Sequence, residues 1–203
     1  MATKPTTKKT STSTEATKKA VKAPAPAKTT IKKAAAKPAA PAPAPAAPAV
    51  GLKEGDSAPA FVLPGAGGGE LSLADFAGRK LVIYFYPKDD TSGCTKEAIE
   101  FNALREKFAK AKTVVVGMSP DSAKSHDKFR DKYDLALPLA ADESKATLAA
   151  YGVWVEKSMY GRKYMGVERT TFLLGKDGRI AAVWNKVKVP GHAEIVLAAV
   201  KAL

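Results

Sequence analysis

Residues 81–97 read LVIYFYPKDDTSGCTKE, and the rest of the folded region is organised around them. The first six residues are an unbroken apolar and aromatic run, which predicts a short strand buried on both faces. Pro87 ends that strand, and a polar loop follows from Lys88 to Gly93. A helix is predicted from about Cys94 to Ala111, because apolar residues recur there at helical spacing. Those apolar residues are Ala98, Phe101, Leu104 and Phe108.

Outward from this unit, predicted strands alternate with predicted helices. Glycines 65 and 67–69 predict the turn of a hairpin, since no lysine completes a phosphate-binding loop there. The strands are predicted at residues 61–64, 70–73, 113–118 and 137–140, with a second hairpin from 167–174 and 179–184; the helices are predicted at 121–133, 144–151 and 190–203. This order predicts an α/β sandwich with a central mixed sheet flanked by helices.

Residues 1–50 differ in composition from the rest of the chain. They hold ten lysines, no arginine, one acidic residue and eight of the 14 prolines, and they carry about +9 of the net charge of +13. So few large apolar side chains cannot offset a backbone entropy of roughly 1–2 kcal/mol per residue. We therefore predict a disordered basic tail over residues 1–50, with Ala39–Pro48 as a polyproline-like spacer, and one folded domain over residues 51–203.

Three interpretations of this tail are open. Residues 29–38 (TTIKKAAAKP) resemble the lysine, alanine and proline repeats of linker-histone tails, and such a segment can contact DNA without reading its sequence. The tail would then associate the protein with the nucleoid. A merely solubilising extension is the second interpretation. An organelle transit peptide is the third, although the absence of arginine argues against it.

Several functional classes are disfavoured by composition. A single cysteine excludes an intramolecular disulfide and disfavours a thiolate metal cluster. His126 and His192 each lack a second ligand at metal spacing, so we expect structural or solvated roles and neither metal nor cofactor. We expect Trp154, Tyr160 and Tyr164 to pack in the core or in loops. No apolar run is long enough for a membrane span and no secretory signal is evident, so we expect a reducing, cytoplasmic setting.

Cys94 is the residue best placed for chemistry. In the first turn of its predicted helix it would face unpaired backbone N–H groups and the positive end of the helix dipole, which favour the reactive thiolate. Lys88 and Lys96 add positive potential, and Thr91 is close enough to meet a small polar molecule at the sulfur. The alternative is a small buried cysteine with no chemical role. Its polar, turn-forming flanks argue against that alternative.

The same residues resemble a known active-site motif. Pro87, Thr91 and Cys94 have the spacing of the proline, threonine and peroxidatic cysteine of peroxiredoxins. Further stretches are similar to the bacterioferritin comigratory protein, or peroxiredoxin Q, subfamily: residues 84–88, 93–95, 152–154, 167–173, 177–180 and 187–192. The resemblance covers about residues 52–203 and implies a thioredoxin-like fold.

The resemblance also implies roles for five residues. The Cys94 thiolate would attack a hydroperoxide and become a sulfenic acid, and Thr91 would hydrogen-bond the thiolate and the peroxide. Pro87 would shield the sulfur from water. Arg169 would stabilise the thiolate and polarise the peroxide, and Glu97 would hold that arginine. From the residues alone, an exposed strand arginine in an ion pair is the favoured interpretation of Arg169, and Glu97 could equally be a solvated helix residue.

One departure from the subfamily affects turnover. Many members carry a second, resolving cysteine five residues after the first, where this chain has Ile99. We therefore expect a one-cysteine form. The resemblance implies a peroxidase that acts on hydrogen peroxide and organic hydroperoxides, and we expect it to be a monomer. Its reductant would be an external thiol such as thioredoxin, glutaredoxin or glutathione. The alternative function is a nucleic-acid-associated protein whose tail places this domain on DNA.

Overall fold

The structure is a computed structural model that describes residues 51–159 and 161–203. The predictions for residues 1–50 and for Tyr160 lie outside these ranges. The strands are β1 Val62–Pro64, β2 Glu70–Ser72, β3 Lys80–Phe85, β4 Thr113–Ser119, β5 Leu139–Ala141, β6 Trp154–Met159, β7 Arg162–Val167, β8 Thr170–Leu174 and β9 Ile180–Trp184. The helices are α1 Ser92–Lys110, α2 Ala123–Tyr133, α3 Ala146–Ala150 and α4 His192–Ala202.

A five-stranded mixed sheet forms the centre of the fold, in the order β5-β4-β3-β8-β9. The neighbours β3, β4 and β5 run parallel, because α1 and α2 cross over between them. Strands β8 and β9 are antiparallel to their neighbours. The predicted α/β sandwich with a central mixed sheet flanked by helices is confirmed.

Strand β3 separates two hydrophobic cores. Leu81, Ile83 and Phe85 point into the core that includes residues of α3, whereas Val82 and Tyr84 point into the core formed with α1 and α4. This alternation is the two-residue period of a strand, and it confirms that both faces are buried. All five side chains are at most 1% exposed, and each of the four hydrocarbon ones contributes on the order of 1.5–3 kcal/mol of burial free energy.

Helix α1 begins two residues earlier than the sequence predicted. Thr91 has an extended backbone (φ −93°, ψ 148°) and caps the helix, so that Ser92 is its first residue and Cys94 its third. The predicted start at Cys94 was wrong because Ser92 and Gly93, which read as loop residues, adopt helical geometry. The sulfur nevertheless lies in the first helical turn.

The hairpins differ in how well sequence predicted them. The glycine-turn hairpin is present as β1–β2, and its turn residues Gly67, Gly68 and Gly69 all have positive φ. The predicted pairing of β8 with β9 is also present. The hairpin β6–β7 was not predicted, since β7 is mostly exposed and shows no apolar alternation. The predicted strand 167–174 is divided there into β7 and β8 by Glu168 and Arg169.

Candidate active site

Cys94 lies where β3, a loop and α1 meet. It is 1% exposed and packs in the core between the sheet and α1. As the third residue of α1 it lies in the turn whose backbone N–H groups have no preceding helical carbonyl. The first helical hydrogen bond runs from Thr95 N–H to the Thr91 carbonyl (2.8 Å). The sulfur is therefore held at the positive end of the helix, where a thiolate is favoured.

Arg169 reaches this sulfur from the opposite side. Its Nη2 donates to Cys94 Sγ at 3.2 Å, and its side chain is 16% exposed. The antiparallel register explains the approach: Phe85 at the end of β3 pairs with Thr170, so the preceding residue lies beside the loop that follows β3. The Arg169 carbonyl accepts from Val187 N–H (3.0 Å), which fixes its backbone.

Glu97 holds the other arm of the same guanidinium. It follows Cys94 by three positions and so lies on the same face of α1. Its Oε2 accepts a hydrogen bond from Arg169 Nη1, and the residue is 1% exposed. Burial raises the pKa of Glu97 to about 7, while the Arg169 charge opposes this rise. The structure thus places Glu97 in the core and not on a solvated face.

Gly93 leaves room for the arginine. A Cβ atom built on Gly93 would lie 3.3 Å from Arg169 Nη2, closer than ordinary carbon contacts. Any side chain there would press on the guanidinium that contacts Cys94. The sequence analysis missed this steric role of Gly93.

Thr91 and Pro87 lie in the loop, on the approach to the helix. The Thr91 hydroxyl donates to the Lys88 carbonyl (3.1 Å), and the residue is exposed. Pro87 is half-buried directly after the buried Tyr86. Of the five predicted site residues, the structure joins Cys94, Arg169 and Glu97 through hydrogen bonds. Pro87 and Thr91 lie in the segment that leads from β3 into α1.

A buried polar network on the loop was missed. The Asp89 carboxylate lies 2.8 Å from each of Tyr86 Oη, Ser125 Oγ and His126 Nδ1. Asp90 forms an ion pair with Lys132 (2.7 Å). The contacts to Ser125, His126 and Lys132 connect the loop to α2, and no local sequence pattern signals them, because these partners lie more than 30 positions away from Asp89 and Asp90.

Both histidines are buried and engaged with protein groups. His126 is fully buried, and His192 Nε2 lies 2.8 Å from Thr171 Oγ1. Burial lowers the pKa of His192 to about 4, and the positive charge of Arg169 adds to this effect. Within residues 51–159 and 161–203, no three potential ligand side chains gather as a metal site.

The other aromatic candidates differ from one another. Trp154 packs against a hydrophobic core, as predicted, whereas the Tyr164 side chain on β7 is 44% exposed. Tyr84 stacks on Phe101 with ring centroids 4.8 Å apart, and this stack lines the core beside Cys94.

Cavities do not identify the site. The largest of four described cavities, about 330 Å³, lies between Leu73–Ala77 and Leu174–Gly178. Another, about 260 Å³, lies against the loop and α2 between Lys88 and Lys132. Cys94 lines none of these four.

None of the described helices has the length and apolar character needed to cross a bilayer.

Known proteins match the region of the chain that holds this site. The AhpC/TSA family matches residues 54–183. The chain is 51% identical to Peroxiredoxin Bcp of Xanthomonas campestris over 137 residues, which is 68% of this chain and 86% of the relative. It is 43% identical to Peroxiredoxin Bcp of Bacillus subtilis over 150 residues, which is 74% of this chain and 96% of the relative.

Solved structures of related proteins also match this chain. A trapped intermediate/ligand complex of the Xanthomonas campestris bacterioferritin comigratory protein matches with a TM-score of 0.68 and 49% identity. The match covers 70% of this chain and 90% of that one. The nucleic-acid interpretation gains no support from these matches, because the family match begins only at residue 54. The chain belongs to the AhpC/TSA family and, within it, to the Bcp or peroxiredoxin Q group of peroxiredoxins.

Proposed function

We propose that this peroxiredoxin reduces hydrogen peroxide and organic hydroperoxides through Cys94. The observation that carries the proposal is the hydrogen bond from Arg169 Nη2 to the Cys94 sulfur at the start of α1. A guanidinium and a helix N-terminus on one sulfur favour the thiolate, which is the nucleophilic form.

The chemical step forms one bond and breaks one. The Cys94 thiolate attacks the terminal oxygen of ROOH, the S–O bond forms, and the O–O bond breaks. The products are a Cys94 sulfenic acid and an alkoxide, or hydroxide, which takes a proton from water. The sulfur is oxidised by two electrons and the peroxide is reduced by two.

Fixed donors lower the barrier of this step. Negative charge spreads from sulfur onto both oxygens in the transition state, so donors already in place stabilise it more than the ground state. Arg169 supplies one such donor, and the N–H groups of Gly93 and Cys94 in the first turn supply others. Glu97 holds the arginine through Nη1 and leaves Nη2 directed at the reacting atoms.

Thr91 would act as an acceptor. A hydroxyl has one proton, and that of Thr91 is directed at the Lys88 carbonyl. Its lone pairs are left to accept the O–H of an incoming hydroperoxide. This refines the role implied by family resemblance, in which the hydroxyl bonds both thiolate and peroxide. Pro87, half-buried at the strand end, would restrict water at the sulfur.

The substrate class follows from similarity. The related Xanthomonas campestris protein is described for its alkyl peroxide reduction activity. We therefore propose that this chain accepts alkyl hydroperoxides as well as hydrogen peroxide. Consumption of both should be measured with purified protein and an excess of dithiothreitol. If the protein consumes neither peroxide, the proposed function is rejected.

Regeneration requires an outside thiol. The chain has no second cysteine, and the position five residues beyond Cys94 is Ile99, which is 44% exposed. A thiol RSH would attack the sulfenic acid and release water, leaving a mixed disulfide that a second thiol opens. Thioredoxin, glutaredoxin and glutathione are the candidates. A cytoplasmic setting would supply them, and we propose that the protein acts there as a monomer.

Residues 51–203 would be the catalytic unit, and residues 1–50 a separate basic segment. Ten lysines against one acidic residue favour non-specific contact with phosphate as a second candidate activity. A chain lacking residues 1–50 should keep peroxidase activity and lose retention on DNA. DNA retention by the truncated chain would reject this division.

A further inference from the structure

One peptide unit lies between the candidate site and α2. The Lys88 carbonyl and the Asp89 N–H belong to the same planar peptide. The N–H donates to Asp121 Oδ2 (2.8 Å), and the carbonyl accepts from the Thr91 hydroxyl (3.1 Å). Rotation of this plane would break both bonds at once. The direction of the Thr91 hydroxyl is therefore coupled to Asp121.

Asp121 is itself anchored to the central sheet. Its Oδ2 accepts from Ser119 Oγ (2.8 Å), and its backbone N–H donates to the same hydroxyl (3.1 Å). Ser119 is the last residue of β4 and is fully buried. The acceptor for the Asp89 N–H thus has a fixed position on the sheet.

The side chain of Asp89 is also held in place, which fixes the residue on the N–H side of the Lys88–Asp89 peptide. The residue is 6% exposed, and its carboxylate accepts from Tyr86 and Ser125, with His126 Nδ1 as a third partner. Burial would raise the pKa of Asp89, but hydrogen bonds from His126, Ser125 and Tyr86 together hold it below its ordinary value. The ionised form is the one that these donors stabilise.

His126 completes the arrangement from α2. It is fully buried, with Nε2 3.2 Å from the Ala140 carbonyl and Nδ1 2.8 Å from the Asp89 carboxylate. A carbonyl and a carboxylate are both acceptors, so a ring nitrogen that carries a proton can donate to either. Through these two contacts His126 ties the loop to β5.

We propose that Asp89, Asp121 and His126 are positioning residues for the peroxide reaction. They fix the Lys88–Asp89 peptide, which directs the Thr91 proton away from the site and leaves its oxygen free to accept from the hydroperoxide. This inference rests on the proposed peroxidase function. None of the three touches the sulfur in the structure, and each acts through Thr91.

Matched variants test this proposal in the full chain. His126→Asn keeps an N–H near the position of Nδ1 and should retain the rate constant for the stoichiometric reaction with hydrogen peroxide within about twofold. His126→Gln keeps the donor toward Ala140 and not the one toward Asp89, and it should lose about tenfold. Asp121→Ala, which removes the acceptor of the Asp89 N–H, should lose a similar factor. Lys124→Gln, an exposed change on α2, is the control.

The decisive comparison uses Thr91→Val as background. If the three residues act through the Thr91 hydroxyl, His126→Gln and Asp121→Ala should add no further loss there, which is non-additivity in a double-mutant cycle. The same loss in both backgrounds would overturn the proposal, and so would an unchanged rate in Thr91→Val alone. Suppose that His126→Asn and His126→Gln lose the same factor in rate constant, and that these losses follow only the thermal midpoints of the variants. That result would mean a purely structural role for His126. A wild-type chain that consumes no peroxide would instead reject the peroxidase function itself.

Discussion

Nη2 of Arg169 lies 3.2 Å from the sulfur of Cys94, although the two residues are 75 positions apart in the chain. The contact exists because β8 pairs antiparallel with β3. The last pair in this register joins Phe85 to Thr170, so Arg169 lies just beyond it, beside the loop that leads to Cys94. The only cysteine of the chain therefore meets a half-buried cation at the positive end of a helix.

Removal of the Arg169 cation should slow the attack on peroxide. Arg169→Met keeps a similar stem and removes both donors, so the rate constant with hydrogen peroxide should fall by about 10²–10³. Alkylation of Cys94 by iodoacetamide at fixed neutral pH should slow as well, because the guanidinium that contacts the sulfur is gone. The control is Arg105→Met on the exposed side of α1. Unchanged rates in both assays would show that the arginine has no part in the reaction.

Glu97 should influence the reaction only when it is ionised. Because its pKa is raised to about 7, Glu97 is mostly neutral below that pH and mostly charged above it. Glu97→Gln resembles the neutral form, so variant and wild type should react at similar rates below pH 7. Above it, wild type should be faster by about tenfold, since the carboxylate holds Arg169 in place. A rate ratio that does not vary between pH 5.5 and 8.5 would contradict this.

His192 should make the fold sensitive to acid. Its pKa is lowered from an ordinary value near 6.5 to about 4, so His192 binds a proton more readily in the unfolded chain than in the folded one. Stability that is fully present above pH 6.5 should be lost as pH falls through about 4, by at most about 3 kcal/mol. His192→Gln can keep the bond to Thr171 and does not titrate. The difference in unfolding free energy between this variant and wild type should therefore change across that window; a constant difference would contradict the assignment.

The missing second thiol should govern turnover. Turnover should depend on the concentration of the external thiol, and oxidised protein should run as a monomer on a non-reducing gel unless two chains join through Cys94. Excess peroxide without a reductant should drive Cys94 to sulfinic or sulfonic acid, because the chain has no second thiol to capture the sulfenic acid. Mass spectrometry should then find two or three added oxygens on the Cys94 peptide. Saturated turnover at trace thiol would indicate another route of reduction.

The central unit of the fold was predictable because its pattern is local. The apolar run of β3, the proline that follows it and the stripe on α1 each follow from neighbouring residues. The β8–β9 hairpin was predictable for the same reason, since its turn residues separate two β-rich runs. The β6–β7 hairpin was not, because Lys157, Lys163 and Tyr164 give it the polar appearance of a loop.

The site was predictable only in part. Cys94 and Thr91 could be chosen from their place at the junction, but Arg169 required family resemblance, because strand order is not encoded in any one strand. The network of Asp89, Asp121 and His126 left no signal, since its contacts arise when α2 and the segment between β4 and α2 pack beside the loop. Burial of Glu97 likewise depends on where Arg169 lies, and its sequence neighbours resemble those of a solvated helix residue.

The most direct test is to trap the sulfenic acid. Reduced protein should be mixed with one equivalent of hydrogen peroxide in the presence of dimedone, and the intact chain and its peptides weighed. We expect stoichiometric loss of peroxide and one dimedone adduct, confined to the peptide that carries Cys94, with neither in Cys94→Ser. An unmodified Cys94 thiol after long exposure to peroxide would contradict the claim that this residue is the redox centre.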